Sequence, residues 1–206
     1  MTDYFALLNE PRRPWLEAEE LKQRFRQLST AVHPDRFHTA PDADRAAAGQ
    51  RYADLNTAYQ CLLEPRERLR HLLELELGAK PKDVQRIPPG TMDLFVEVGQ
   101  SCRDADAFLA ERAKVTSPML KVQMFQRGME WTDKLNGIQR NVNAMRDGLS
   151  RELQELNAAW DAAPAIGSAN RAPALPLERL EQIYRVLSYV TRWTEQLQER
   201  VVQLAM

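Results

Sequence analysis

Apolar side chains in this sequence recur in steps of three and four: Leu21, Phe25, Leu28 and Val32 in the first quarter, Leu180, Ile183, Leu187 and Val190 near the end. That spacing is the stripe of an amphipathic α-helix. Alternating runs of Val, Ile and Thr between turn residues are missing, and 206 residues hold only eight glycines, so nothing marks a strand or hairpin. The chain is predicted to be all-α. No apolar run reaches the roughly 18 residues of a membrane span. The opening Met1-Thr2-Asp3-Tyr4 lacks the basic and apolar regions of a secretory leader, so a cytoplasmic protein with no membrane partner is expected. The 28 Lys and Arg against 29 Asp and Glu leave a charge of −1, which offers nucleic acid no field to bind. Cys61 and Cys102 are far apart and form no Cys-x-x-Cys, so they read as buried thiols.

Prolines and glycines punctuate the stripes. The stretch from Gly78-Ala79-Lys80-Pro81-Lys82 to Ile87-Pro88-Pro89-Gly90 ends one helix and forbids its continuation, which divides the chain into residues 1–77, a linker 78–90, and residues 91–206. In the first part, helices are predicted over about 17–32 and 42–63, the second marked by Tyr52, Leu55, Tyr59 and Leu62. His33 to Pro41 joins them as a loop, giving an antiparallel hairpin. A short opening helix (Tyr4, Phe5, Leu7, Leu8) and a fourth from Pro65 to Gly78 flank it. The second part carries three stripes and is predicted to be a three-helix bundle. The first is read as Met92, Phe95, Gly99, Cys102 and Leu109, the second runs from Trp131 to Trp160, and the third is Leu180 to Leu204. Gly128, Gly137 and Gly148 leave open whether 119–161 is one helix or two, and the Pro-bearing stretch 161–176 reads as a loose connection.

The loop between the hairpin helices contains His33-Pro34-Asp35. Such a tripeptide arises by chance in about one chain of this length in forty, so alone it says little. Its setting says more. On a helical wheel Lys22, Arg26, Ser29 and His33 fall within about 60° of one another, beside the apolar stripe and not on it. A cationic strip therefore leads into a turn that displays an imidazole and a carboxylate, an arrangement suited to a partner's polar cleft. The competing readings are an ordinary turn, a solvated face, and a metal site built on His33, Asp35 and His38, which lacks further ligands nearby. No Gly-rich phosphate loop, Ser-His-Asp order or paired catalytic carboxylates accompany it, so neither an enzyme nor a cofactor or metal is expected.

Several segments together resemble the J-domain family, co-chaperones that stimulate ATP hydrolysis by DnaK-type chaperones. They are Asp3-Tyr4-Phe5, the helix Leu21 to Ser29, His33-Pro34-Asp35 followed by Arg36-Phe37, and Asn56-Thr57-Ala58-Tyr59-Gln60-Cys61-Leu62 followed by Pro65-Arg66. The resemblance covers residues 3 to about 75. It implies that His33, Pro34 and Asp35 trigger the partner's ATPase and that Lys22 and Arg26 dock on its acidic surface.

Leu94 and Val98, and on the last helix Val186, Tyr189 and Trp193, lie off the predicted core seams, and are apolar where a solvated face would be polar. Either a third helix covers them or they bind a client. The order of J-domain, proline-bearing linker and three-helix bundle looks like the HscB family, which serves iron–sulfur cluster assembly with an HscA chaperone. In that family a Leu-Met-x-x-Leu group and a Phe of the last helix contact the scaffold protein IscU. Leu94-Phe95-Val96-Glu97-Val98 is similar to the first, and Tyr189 stands where the Phe is expected. The acidic run usual after the first group is replaced by Gly99-Gln100-Ser101-Cys102-Arg103. The resemblance thus implies an HscA-like chaperone partner and an IscU-like scaffold held by Leu94, Phe95, Val98 and Tyr189. The alternative is a J-domain co-chaperone for a different client.

Overall fold

Helix boundaries follow the local chemistry of the chain, and the computed structural model describes them over residues 1–81 and 90–206. The expected linker lies mostly outside the described residues, at 82–89. Among the described residues every regular element is helical. Helix α1 (Tyr4–Leu7) is capped by Asp3, whose Oδ1 accepts from the N–H groups of Phe5 and Ala6 at 3.0 and 3.2 Å. Helix α2 spans Ala18–Ala31, a 3₁₀ turn follows at Pro34–Phe37, and α3 runs over Asp42–Leu63. Helix α4 (Pro65–Leu77) starts on a proline that has no N–H to leave unpaired, and ends where Gly78 turns left-handed at φ 71°. Then come α5 (Met92–Arg112), α6 (Pro118–Asp161), α7 (Arg171–Ala174) and α8 (Leu177–Ala205). The three glycines of α6 do not interrupt it. No described helix is long and apolar enough to cross a membrane.

The chain forms two compact units that do not follow its order: Met1–Lys82 with Arg151–Tyr184, and Asp83–Ser150 with Arg185–Met206. In the first unit α3 packs against α1, α2 and α4. Phe25 stacks on Tyr59 at 4.4 Å, and His33 meets the Tyr52 ring edge-on at 5.3 Å. Advancing along α2 therefore means retreating along α3, which makes the hairpin antiparallel. Phe25 is half-buried at this stack, while Phe5, Leu21, Leu62, Leu69, Leu72 and Leu73 are fully buried. The stretch expected to be a loose connection is fastened instead. Arg171 forms a two-pronged, buried pair with Glu76 of α4, both bonds 2.9 Å, and donates to the Pro164 carbonyl at 2.7 Å. Leu175 and Leu177 are buried beside it in sequence. Asn157 exchanges two hydrogen bonds with the Trp15 backbone, at 2.9 and 3.1 Å. Arg68 is buried with its guanidinium on the carbonyls of Pro14 and Leu62, and burial pulls its pKa down to about 10, still cationic at neutral pH.

The second unit is a bundle whose core joins Val98, Cys102, Ala105 and Phe108 of α5 to Leu135, Ile138 and Val142 of α6 and Val190, Trp193 and Leu197 of α8. A Cβ added at Gly128 of α6 would lie 3.8 Å from the Phe108 ring and 3.9 Å from the Leu204 carbonyl, in ordinary van der Waals contact with both. The α5 seam differs from the sequence reading. Met92 and Phe95 are exposed, and Val98, Ser101, Cys102, Ala105 and Phe108 are buried. Taking Gly99 for the seam in place of Val98 rotates the helix by one residue, about 100°. Trp193, read as off the seam, is core at 2% exposure. Cys102 is buried and Cys61 half-buried. Burial raises both thiols, Cys61 to about 11, so both stay protonated and unreactive at neutral pH.

Candidate functional site

The turn after α2 is set by Pro34. A residue before proline is driven to the extended region, and His33 adopts φ −61° and ψ 131°. Its Nδ1 then accepts from the Asp35 N–H at 3.3 Å, while its carbonyl accepts from the Arg36 N–H at 3.0 Å. The Tyr52 ring of α3 supports the imidazole from the side. His38 donates from Nδ1 to the Asp35 carbonyl at 2.8 Å. The backbone of Asp35 is thus held on both sides, while its carboxylate is 89% exposed, with His33 Nδ1 3.5 Å away. Among the described residues no three His, Cys, Asp or Glu side chains group in a way that could hold a metal ion.

Lys22 and Arg26 lie on the face of α2 that leads to this turn. Lys22 is paired with Glu19 at 3.2 Å, an exposed i,i+3 contact of the kind that yields readily to a stronger partner. Arg26 is exposed. Ser29 is not part of the strip, because it is buried with its hydroxyl on the Arg26 carbonyl at 3.3 Å. Cations followed by a fixed imidazole and an exposed carboxylate give this face both signs of charge within a short stretch of chain.

The four residues assigned to the client separate. Val98 is 1% exposed in the bundle core, so it has no surface to offer; this corrects its place in the expected patch. Leu94 is half-buried and packs against that core. Phe95 and Tyr189 do come together, ring edge to face at 6.2 Å, with the buried Trp193 ring 6.5 Å from Phe95 and 5.7 Å from Tyr189. Sequence reasoning missed three neighbours. Met92 and Val96 are exposed on the same helix as Phe95, and the Arg192 guanidinium sits 5.8 Å from the Tyr189 ring centre. Met92 and Arg192 each stand three residues from Phe95 and Tyr189, which was the available signal; Val96, one residue from Phe95, gave none.

Residues 3–71 match the family model described as DnaJ domain. Among solved structures the chain is similar to the human co-chaperone protein HscB, with 18% identity and a TM-score of 0.62 over 97% of this chain and 82% of that one. It is also similar to chaperone HscB from Vibrio cholerae, with 26% identity and a TM-score of 0.48 over 95% of this chain and 99% of that one. Residues 3–71 thus form a J-domain, a module that implies a partner of the Hsp70 type. The fold of the chain is that of HscB.

Proposed function

We propose that this protein stimulates ATP hydrolysis by a DnaK-type, HscA-like chaperone in the cytoplasm and delivers to it an IscU-like iron–sulfur scaffold, without catalysing a reaction of its own. The observation that carries the first half is the turn at His33-Pro34-Asp35. Its backbone is fixed by Pro34, His33 and His38, and it presents one carboxylate, 89% exposed, at the end of the helix that carries Lys22 and Arg26. A rigid loop gives up little entropy on binding, so the contact energy is available to bias the chaperone toward its hydrolysing state. The second half rests on exposed Phe95 meeting half-buried Tyr189, an aromatic pair on the bundle of an HscB fold, flanked by half-buried Leu94. Single-turnover ATPase of an HscA-like chaperone tests both. The protein alone should accelerate hydrolysis, and adding scaffold should accelerate it further. No acceleration would reject the coupling; acceleration that scaffold leaves unchanged would reject the client and keep the J-domain function.

A further inference from the structure

Among the described residues the second unit exposes a further apolar stripe, on a helix other than those of Phe95 and Tyr189. Met119, Val122, Phe125 and Met129, spaced by three and four on the first turns of α6, are between 56% and 74% exposed. They face away from the core positions Met124, Leu135 and Ile138 of the same helix. Solvated helices carry polar residues there, and a run of four large apolar side chains marks an interaction site. Beside the stripe opens a groove of about 280 Å³, lined by Val115, Met124, Phe125, Leu204 and two cations, Arg112 and Lys121. That is smaller than the roughly 300 Å³ at which small-molecule sites begin, and suits one or two anchoring side chains.

The charges around it are unequal. Arg112 donates to the carbonyls of Leu204 and Gln203 at 2.8 and 2.7 Å and is fixed at the groove wall. The nearby carboxylate of Glu111 is engaged by Arg127 at 3.2 Å. Among the described residues Lys121, and Lys114 in the preceding connection, have no ion-pair partner. We infer that this stripe and groove are a second docking surface, taking an amphipathic segment of a protein partner whose apolar anchors are flanked by Asp or Glu. A second copy of the chain is disfavoured, because a two-fold pairing would bring the lysines of both copies to one interface. A bilayer is disfavoured because lipid does not fill a concavity and the exposed Glu130 and Asp133 continue the same helix. The surface lies at the Arg112 end of α5 and Phe95 near its start, about 25 Å apart at 1.5 Å per residue. Two partners can therefore be held at once.

The test labels the methionine methyls of the full chain with ¹³C and adds a synthetic helical peptide with Leu at i, i+4 and i+7 flanked by Glu. Saturable shifts are expected at Met119, Met124 and Met129, with Met92 and Met145 unmoved. The same peptide with Lys in place of Glu should not bind. Phe125→Ser should weaken binding about thirtyfold and Lys121→Glu about fivefold, the latter less at high salt. Neither should move the melting temperature, since both side chains are exposed. Absence of saturable shifts below about 1 mM peptide, or equal binding of both peptides, overturns the inference. So do methionine shifts that track protein concentration without peptide, which would make the occupant a second copy. Shifts produced by phosphatidylglycerol vesicles but not by the peptide would assign the surface to lipid.

Discussion

The turn at His33-Pro34-Asp35 and the aromatic patch at Phe95 and Tyr189 are both candidate binding surfaces, built in opposite ways. The turn is continuous in sequence, and Pro34 and the His33 and His38 side chains fix most of its geometry. The patch joins residues 94 positions apart in sequence, from two helices brought together by the packing of the bundle. A local surface survives errors about packing; an assembled one does not. Misplacing the facing of α5 by one residue exchanged Val98 and Phe95 between core and surface, yet no comparable error touched Asp35.

The largest effect expected is from Asp35→Asn, which removes a charge and little else. An exposed loop carboxylate contributes little to stability, so the melting temperature should hold to within about 2 °C. Stimulation of the chaperone ATPase should be lost entirely. A variant that stimulates like the wild type would remove the turn from the comparison.

Next come the patch and its buried neighbour. Phe95→Ala and Tyr189→Ala should each weaken scaffold binding about fivefold to thirtyfold by calorimetry and leave basal ATPase stimulation intact. Val98→Ala should do the reverse, costing about 1–3 kcal/mol of stability through lost burial and a cavity, with scaffold affinity kept by the folded fraction. If Val98→Ala reduces affinity more than Tyr189→Ala does, the patch is wrongly drawn.

Charge reversal at Lys22 and Arg26 should act more weakly. Exposed cations steer encounter over a Debye length of about 8 Å at physiological salt, so the loss should be a few-fold in association rate and should fade as salt rises. Stopped-flow association with the chaperone at two salt concentrations measures it. A deficit independent of salt would mean that the strip makes close contacts and not only steering ones.

What the sequence disclosed follows the same division. Pro65 and Gly78 marked the ends of α4 because a missing N–H and a left-handed φ are properties of single residues. The facing of α5 was hidden because Met92, Leu94, Phe95, Val96 and Val98 put apolar groups on nearly every side of its first turns, and the period then selects no face. The fastening of 161–176 was hidden for another reason. Arg171 looks like any surface cation until Glu76, 95 residues earlier, is brought to it. Cations and triad of the turn were legible, whereas the support from Tyr52 depended on the hairpin having formed.

The smallest effect expected separates the two regions by pH. All three histidines, His33, His38 and His71, lie in the J-domain half of the chain, and the bundle unit has none. His71 is buried in α4 and stacked on Tyr4 at 4.4 Å, and its Nε2 accepts the Tyr4 N–H at 3.1 Å. Protonation would cost that acceptor and place a charge in the core. Its pKa is accordingly lowered, chiefly by burial, against the pull of Asp3 and Glu74. In the unfolded chain the imidazole keeps its ordinary value near 6.5, so as pH falls below that value the unfolded state takes up the proton first. This part of the stability is complete above about pH 7 and is lost downward from 6.5 toward the lowered folded value. Thermal melts read at Trp15 and at Trp193 in single-tryptophan variants should show the acid-side decline at the first site and a flatter response at the second. His71→Gln keeps an acceptor for the Tyr4 N–H but cannot titrate, and should flatten the decline at Trp15. An equal decline at Trp193 that persists in His71→Gln would place the acid sensitivity elsewhere and leave the two units indistinguishable in this window.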